Sequence, residues 1–131
     1  MTKSSLVKRD FDLLNQLRVE LGLSINNLDE KVAKIIEPNA SSPRERIDTL
    51  KEAKKQGIKV FGFISPVLPG ITNLDAIFKE LAFCDYVWVE LLNPQKNLMN
   101  KFLPTIKKYF PDKIHAFTEA VENQDKYYKM R

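Results

Sequence analysis

IKVFGFISPVLPGIT, residues 58–72, decides how this chain is read. Ile58 to Ser65 is a near-continuous apolar run, the habit of a strand buried on both faces in a parallel sheet under helices. The run breaks into the loop SPVLPG, which carries two prolines and a glycine. In open or barrelled α/β folds, ligands sit beyond the carboxyl ends of such strands, so this loop is the first place to look for a site.

Two more strands flank this one. Arg18 to Ile25 alternates Val19, Leu21, Leu23 and Ile25 with Glu20, Gly22 and Ser24, and the small second face predicts close approach by a helix or a ligand. Tyr86 to Leu92, YVWVELL, is rich in strong strand formers and is closed by an Asn93-Pro94 turn. Helical spacing fills the intervals. Phe11, Leu14 and Leu17, widened by Leu13, mark a helix over Ser5–Leu17. Leu28, Val32, Ile35 and Ile36 mark a second, with Asn27 as its N-cap and Pro38 as its stop. Ser42-Pro43-Arg44-Glu45 is a capping-box start for a third, which turns Ile47, Leu50 and Ala53 inward and ends at Gly57. Asn73 caps a fourth, carrying Leu74, Ile77, Phe78 and Leu81. Leu98, Phe102, Ile106 and Phe110 mark a fifth that Pro104 kinks or divides, and Ile114–Arg131 is a polar sixth after a Pro111-Asp112 turn. Strands alternating with helices give β/α units and a parallel sheet in one domain over residues 1–131. Three strands are few for such a sheet, and Met1–Ser4 runs straight into a helix as though a strand before it were missing.

The bulk numbers narrow the function classes. At 44% hydrophobic and 29% charged, the 131-residue chain is globular, with no apolar run long enough to cross a bilayer and no signal-peptide pattern, so the expectation is a cytoplasmic protein. Net charge is +4, yet 21 cations are interleaved with 17 anions. Lys54-Lys55, Lys107-Lys108 and the tail KYYKMR are the small basic clusters, which read as solvated surface rather than a nucleic-acid stripe. The single cysteine, Cys84, excludes a disulfide framework and any all-cysteine metal or cluster site made by this stretch alone. Cys84 reads as a small buried hydrophobe and His115 as an ordinary surface residue.

TKSSLVKRD at Thr2–Asp10, LSIN at Leu23–Asn26, EPNASSPRERI at Glu37–Ile47 and QGIKVFGFISPVLPGIT at Gln56–Thr72 follow one another in an order and spacing that resembles the radical S-adenosylmethionine proteins of the spore-photoproduct-lyase-like group. The resemblance covers about Thr2 to Asn93. It implies a partial (β/α)6-type barrel of which this chain is the C-terminal half, with its three strands as the fourth to sixth and Thr2–Ser4 as the tail of the third. It also implies the cofactors S-adenosylmethionine and a [4Fe–4S] cluster, and a reaction that cleaves the former reductively to a 5′-deoxyadenosyl radical for hydrogen abstraction. The cluster's Cys-x3-Cys-x2-Cys motif is absent here, so the chain reads as a fragment or truncated member, inactive alone, whose partner is the other half of the barrel or a second copy over the open edge.

By the same resemblance, Lys3 contacts the cofactor carboxylate, Ser24 and Asn26 the ribose or methionine part, and Ser65, Pro66 and Val67 the adenine, with Leu92 and Asn93 ending the sixth strand in a matching place. Glu37, Arg44 and Arg46 form an ion-pair cluster at the site mouth. Each has a plainer alternative. Lys3 is then a surface lysine, Ser24 a packing residue, Asn26 and Asn27 turn formers, Glu37 and Arg46 a loop brace, and Pro66 and Pro69 loop shapers. The aromatics Phe61, Phe63, Tyr86 and Trp88 read as core. The competing function is a non-catalytic α/β binding or interaction domain, and nucleic-acid binding ranks below both.

Overall fold

The computed structural model describes residues 1–92 and 96–122. Its centre is a three-stranded parallel sheet in the order β1 (Leu21–Ser24), β2 (Val60–Val67), β3 (Tyr86–Leu91). Six helices follow the chain: α1 (Phe11–Leu17), α2 (Glu30–Ile36), α3 (Pro43–Lys55), α4 (Leu74–Glu80), α5 (Lys96–Tyr109) and α6 (Ile114–Glu122). Two 3-10 turns, Ser5–Asp10 and Pro111–Lys113, lead into α1 and α6. The fold is thus α/β, built of parallel β/α units. The register pairs Leu21 with Val60, and Phe61 with both Gly22 and Tyr86. Thr2 adds one more parallel bridge on the outer edge of β1: its N–H donates to the Gly22 carbonyl at 3.0 Å and its carbonyl accepts from the Ser24 N–H at 3.2 Å.

The strand period decides which side of the sheet is covered. Leu21, Leu23, Val60 and Ile64 point to one face and bury against Ile47, Leu50 and Ala53 of α3 and against Ile77 and Leu81 beside α4. Gly62 shares that face because a Cβ there would meet the Leu81 side chain at 2.5 Å. The opposite face carries Phe61, Phe63, Tyr86 and Trp88. Phe61 stacks on Tyr86 with centroids 5.0 Å apart, and Trp88 is 60% exposed. The double burial expected for Ile58–Ser65 therefore holds on one face only, and Trp88 is not a core residue. The close approach expected at the small face of β1 comes from a neighbouring strand: a Cβ on Gly22 would lie 2.2 Å from the Phe61 ring.

A second apolar cluster sits at the carboxyl ends of the strands. Leu68, from the loop after β2, and Leu92, after β3, are buried with Ile106 of α5 and Phe117 of α6. The last two helices thus pack over the strand-end loops. Pro104 lies inside α5 without dividing it.

Several boundaries move from their expected places for local reasons. Arg18 takes a left-handed conformation (φ 52°) and ends α1, so the first strand starts at Leu21 rather than Arg18. The opening helix begins as a 3-10 turn, and Leu13 and Leu17 are exposed. Asp29, not Asn27, caps α2, its carboxylate accepting the N–H groups of Lys31 and Val32. β2 runs on through a cis Ser65–Pro66 bond to Val67, with a register shift between Ile64 and Val67, so half of the expected loop belongs to the strand. The start signal at Ser42 forms as read, with both hydrogen bonds of the capping box. The expected Asn93-Pro94 turn, the Leu98 side chain and the end of the Ile114–Arg131 helix lie outside the described residues.

Candidate functional site

The capping box fixes where α3 begins and therefore which way Arg46 points. Arg46 enters the protein between the end of β1 and the loop joining α2 to α3, and only 2% of it is exposed. Its three nitrogens are all engaged at 2.7 Å: Nη1 donates to the Ser24 carbonyl, Nε to the Ser41 carbonyl and Nη2 to Glu37 Oε2. The other carboxylate oxygen of Glu37 takes the Lys3 ammonium. Burial alone would raise the Glu37 carboxyl, but the Lys3 and Arg46 cations outweigh it and hold the group below its ordinary range. Main-chain bonds fix the same corner, since the Ser41 N–H donates to the Lys3 carbonyl at 3.1 Å and the Ser5 N–H to Ser41 Oγ at 2.9 Å.

Arg44 does not join this cluster. It reaches Glu80 at 3.7 Å instead. Two residues on a helix are turned about 200° from one another, so Arg44 and Arg46 leave α3 on opposite sides.

Two cavities open on either side of Lys3. One, of about 280 Å³, is walled by Lys3, Ser24, Phe63, Ser65 and Pro66 together with the first two residues. The other, of about 450 Å³, lies between Thr2–Ser4 and the Glu37–Ala40 turn. Ser24 Oγ donates to the Ser65 carbonyl at 3.1 Å, and Ser65 Oγ to Glu90 Oε2 at 2.7 Å, which ties the ends of the three strands together. The corner thus offers one ammonium, the hydroxyls of Thr2, Ser24 and Ser65, and an apolar wall.

Of the expected cofactor residues, Lys3, Ser24, Ser65 and Pro66 meet at one cavity. Asn26 does not line it; it is buried and accepts a 2.9 Å bond from Asn27 Nδ2. Val67 and Leu92 do not line it. Val67 belongs to the main core and Leu92 to the cluster under α5 and α6, because the register shift after Ile64 and the packing of the last helices turn both inward. Asn93 lies outside the described residues. Thr2, Phe63 and Glu90 join the site although none was named as a site residue, Thr2 and Phe63 lying inside the quoted motifs. The period of two along β2 puts Phe63 on the same face as Ser65 and could have found it.

Cys84 precedes β3 at the opposite end of the sheet, and burial pushes its thiol up to about 11. That is a packing thiol rather than a nucleophile. One cysteine does not fit the donor set of a [4Fe–4S] cluster, and among the described residues no group of three or more His, Cys, Asp or Glu side chains could hold a metal ion. The cavity beside Lys3 presents an ammonium, hydroxyls and an apolar wall, the kinds of group that a zwitterionic nucleoside would need. His115 is exposed on α6. Lys54 pairs with Asp85 and Lys59 with Glu20, so much of the positive charge at the sheet's amino end is locally balanced. Among the described residues no helix is long and apolar enough to cross a membrane.

No protein-family model matches the chain, and no solved structure matches it. An uncharacterized protein of Methanocaldococcus jannaschii is 41% identical over 95 residues, which cover 71% of this chain and 37% of that protein. An uncharacterized protein of Acidianus two-tailed virus is 40% identical over 103 residues, covering 70% of this chain and 34% of that protein. The chain spans about a third of the length of these curated relatives.

Proposed function

We propose that this chain is part of a radical S-adenosylmethionine protein and supplies one wall of the cofactor's cradle. The observation that carries the reading is the cavity that brings Lys3, Ser24, Ser65 and Pro66 together from three separate segments. Lys3 is suited to take a carboxylate. Its present partner, Glu37, keeps Arg46 at 2.7 Å when Lys3 leaves, so exchanging partners strands no buried charge. The Ser24 and Ser65 hydroxyls face a ribose, and Pro66 and Phe63 flank its base. Thr2, bridged to β1 as the end of a further parallel strand, supports the half-barrel reading, and relatives nearly three times longer than the matched stretch leave room for the remainder. The cofactor, with a [4Fe–4S] cluster held by cysteines outside this stretch, would supply the radical chemistry, while these residues bind and orient it. A cytoplasmic setting suits a thiolate-bound cluster.

The non-catalytic reading has its own support. Leu6, Leu13 and Leu17 are exposed, as is Trp88 on the bare face of the sheet, and such surfaces suit a second half-barrel or a partner chain. Calorimetric titration of the chain with S-adenosylmethionine separates the two. The expected result is weak, millimolar binding that Lys3→Ala abolishes and Cys84→Ser leaves unchanged. Absence of heat at millimolar ligand overturns the cradle and leaves the interaction domain.

A further inference from the structure

On the face of the sheet that no described helix covers, an aromatic ring meets a carboxylate at each end. At the amino end the Tyr86 hydroxyl donates to Glu20 Oε2, and the Lys59 ammonium lies 3.2 Å from Glu20 Oε1 and 5.9 Å from the centroid of the Tyr86 ring. This end holds a cation between a negative charge and the negative π face of a ring. At the carboxyl end Trp88 and then Glu90 follow Tyr86 along β3, each step about 7 Å on the same face. Both are exposed. Glu90 Oε2 accepts from Ser65 Oγ at 2.7 Å, which anchors the carboxylate at the strand end. Among the described residues no cation pairs with Glu90 and none lies over the Trp88 ring. The carboxyl end thus repeats the groups of the amino end without the ammonium, and its ring is the type that attracts a cation best. Phe63, the register partner of Trp88, walls the cavity beside Lys3 together with Ser65. Lys3, the basic side chain at that cavity, has its charge taken up by Glu37.

We infer that the carboxyl end of this face binds a small organic cation, an alkylammonium. Its charge lies over the Trp88 ring and against Glu90, and the rest of the molecule extends across Phe63 toward the cavity of about 280 Å³. An alkylammonium fits better than a metal ion, because one carboxylate and a ring face supply few of the oxygen ligands that a hard cation requires. The site stands on these residues and not on the cradle around Lys3. Where both are occupied, the cation lies beside the cofactor, in the position of a substrate.

Trp88, the only tryptophan, reports its own occupancy by fluorescence. The full chain is titrated with choline chloride, exchanged for sodium chloride at constant ionic strength, and separately with 3,3-dimethylbutanol, which has the same shape without the charge. Choline is expected to change the emission saturably, and the alcohol to bind about tenfold more weakly for want of the charge. Glu90→Gln, a change on an exposed side chain, is expected to weaken choline about tenfold and to leave the alcohol as it was. Lys3→Ala is expected to keep the choline response, which separates this site from the cradle. Magnetisation transfer from the protein to the choline methyl groups is expected in the unaltered chain and is lost in Trp88→Leu. Equal affinity for choline and the alcohol, an emission change that never saturates, or an affinity for choline that Glu90→Gln leaves unchanged overturns the proposal. So does loss of the choline response in Lys3→Ala. S-adenosylmethionine is absent from every arm, so a failure here leaves the cradle to be judged by its own calorimetric titration.

Discussion

A guanidinium buried as fully as that of Arg46 has to find its partners inside the protein, and it holds three separate segments in doing so: the end of β1, the loop before α3 and Glu37. Removing it leaves the Ser24 and Ser41 carbonyls without that donor and Glu37 with Lys3 alone. Arg46→Ala is expected to cost about 3–5 kcal/mol in urea denaturation, the range for breaking a buried pair from one side. Lys3→Ala is expected to cost less than about 1 kcal/mol, because that ion pair is partly exposed. The Glu37 carboxyl ionises more readily when folded than its ordinary value of 4.5, so the unfolded chain binds the proton more tightly. Its contribution is complete above that value and is lost as pH falls through the lowered folded value. The urea midpoint is therefore expected to fall as pH drops below 4.5, and to fall less in Glu37→Gln. At this scale the sequence carried much of the answer. Ser42, Pro43 and Glu45 fix the start of α3, which sets the direction of Arg46. That Arg44 leaves α3 on the other side from Arg46 was legible too, since a helix wheel drawn from the sequence settles it.

β2 shows what an apolar run can and cannot say. VFGFI fits a strand buried on both sides and a strand with one aromatic, half-open face equally well, because Phe serves both places. What separates them is whether an element covers the second face, and that is a tertiary fact. Gly22 records the outcome, since the Phe61 ring occupies the place of its missing side chain. Gly22→Ala is expected to destabilise the fold by about 1–3 kcal/mol, as overpacking does. The double variant Gly22→Ala/Phe61→Leu is expected to recover part of that loss, a coupling that a double-mutant cycle in thermal denaturation reads directly. Strand and helix ends were less legible than their middles. Asn27 and Asp29 are both good caps two residues apart, and only the path of the loop chooses Asp29.

Across the whole molecule, the parallel order of the sheet follows from the alternation of strands and helices and was readable in advance. The placement of α5 and α6 over the strand ends was not, because Leu68, Leu92, Ile106 and Phe117 come from four distant segments and no local period links them. The exposure of Trp88 on the face of the sheet that no described helix covers has a simple optical consequence. Trp88 is the only tryptophan, so the emission of the folded chain is expected to resemble that of free tryptophan and to be quenched readily by acrylamide. A blue-shifted, shielded emission would mean that the face is covered in solution, by a second copy or another chain.

Thr2 carries a practical lesson for anyone fusing this chain to another. Its N–H and carbonyl are both bonded to β1 in parallel register opposite Leu23, so residues fused ahead of Met1 would travel beside Gly22 and Leu21, along a stretch of β1's outer edge that no other described residue pairs with. A tag rich in valine or threonine would be drawn into the sheet there as an additional strand. One rich in proline, which lacks the N–H, would peel away from it.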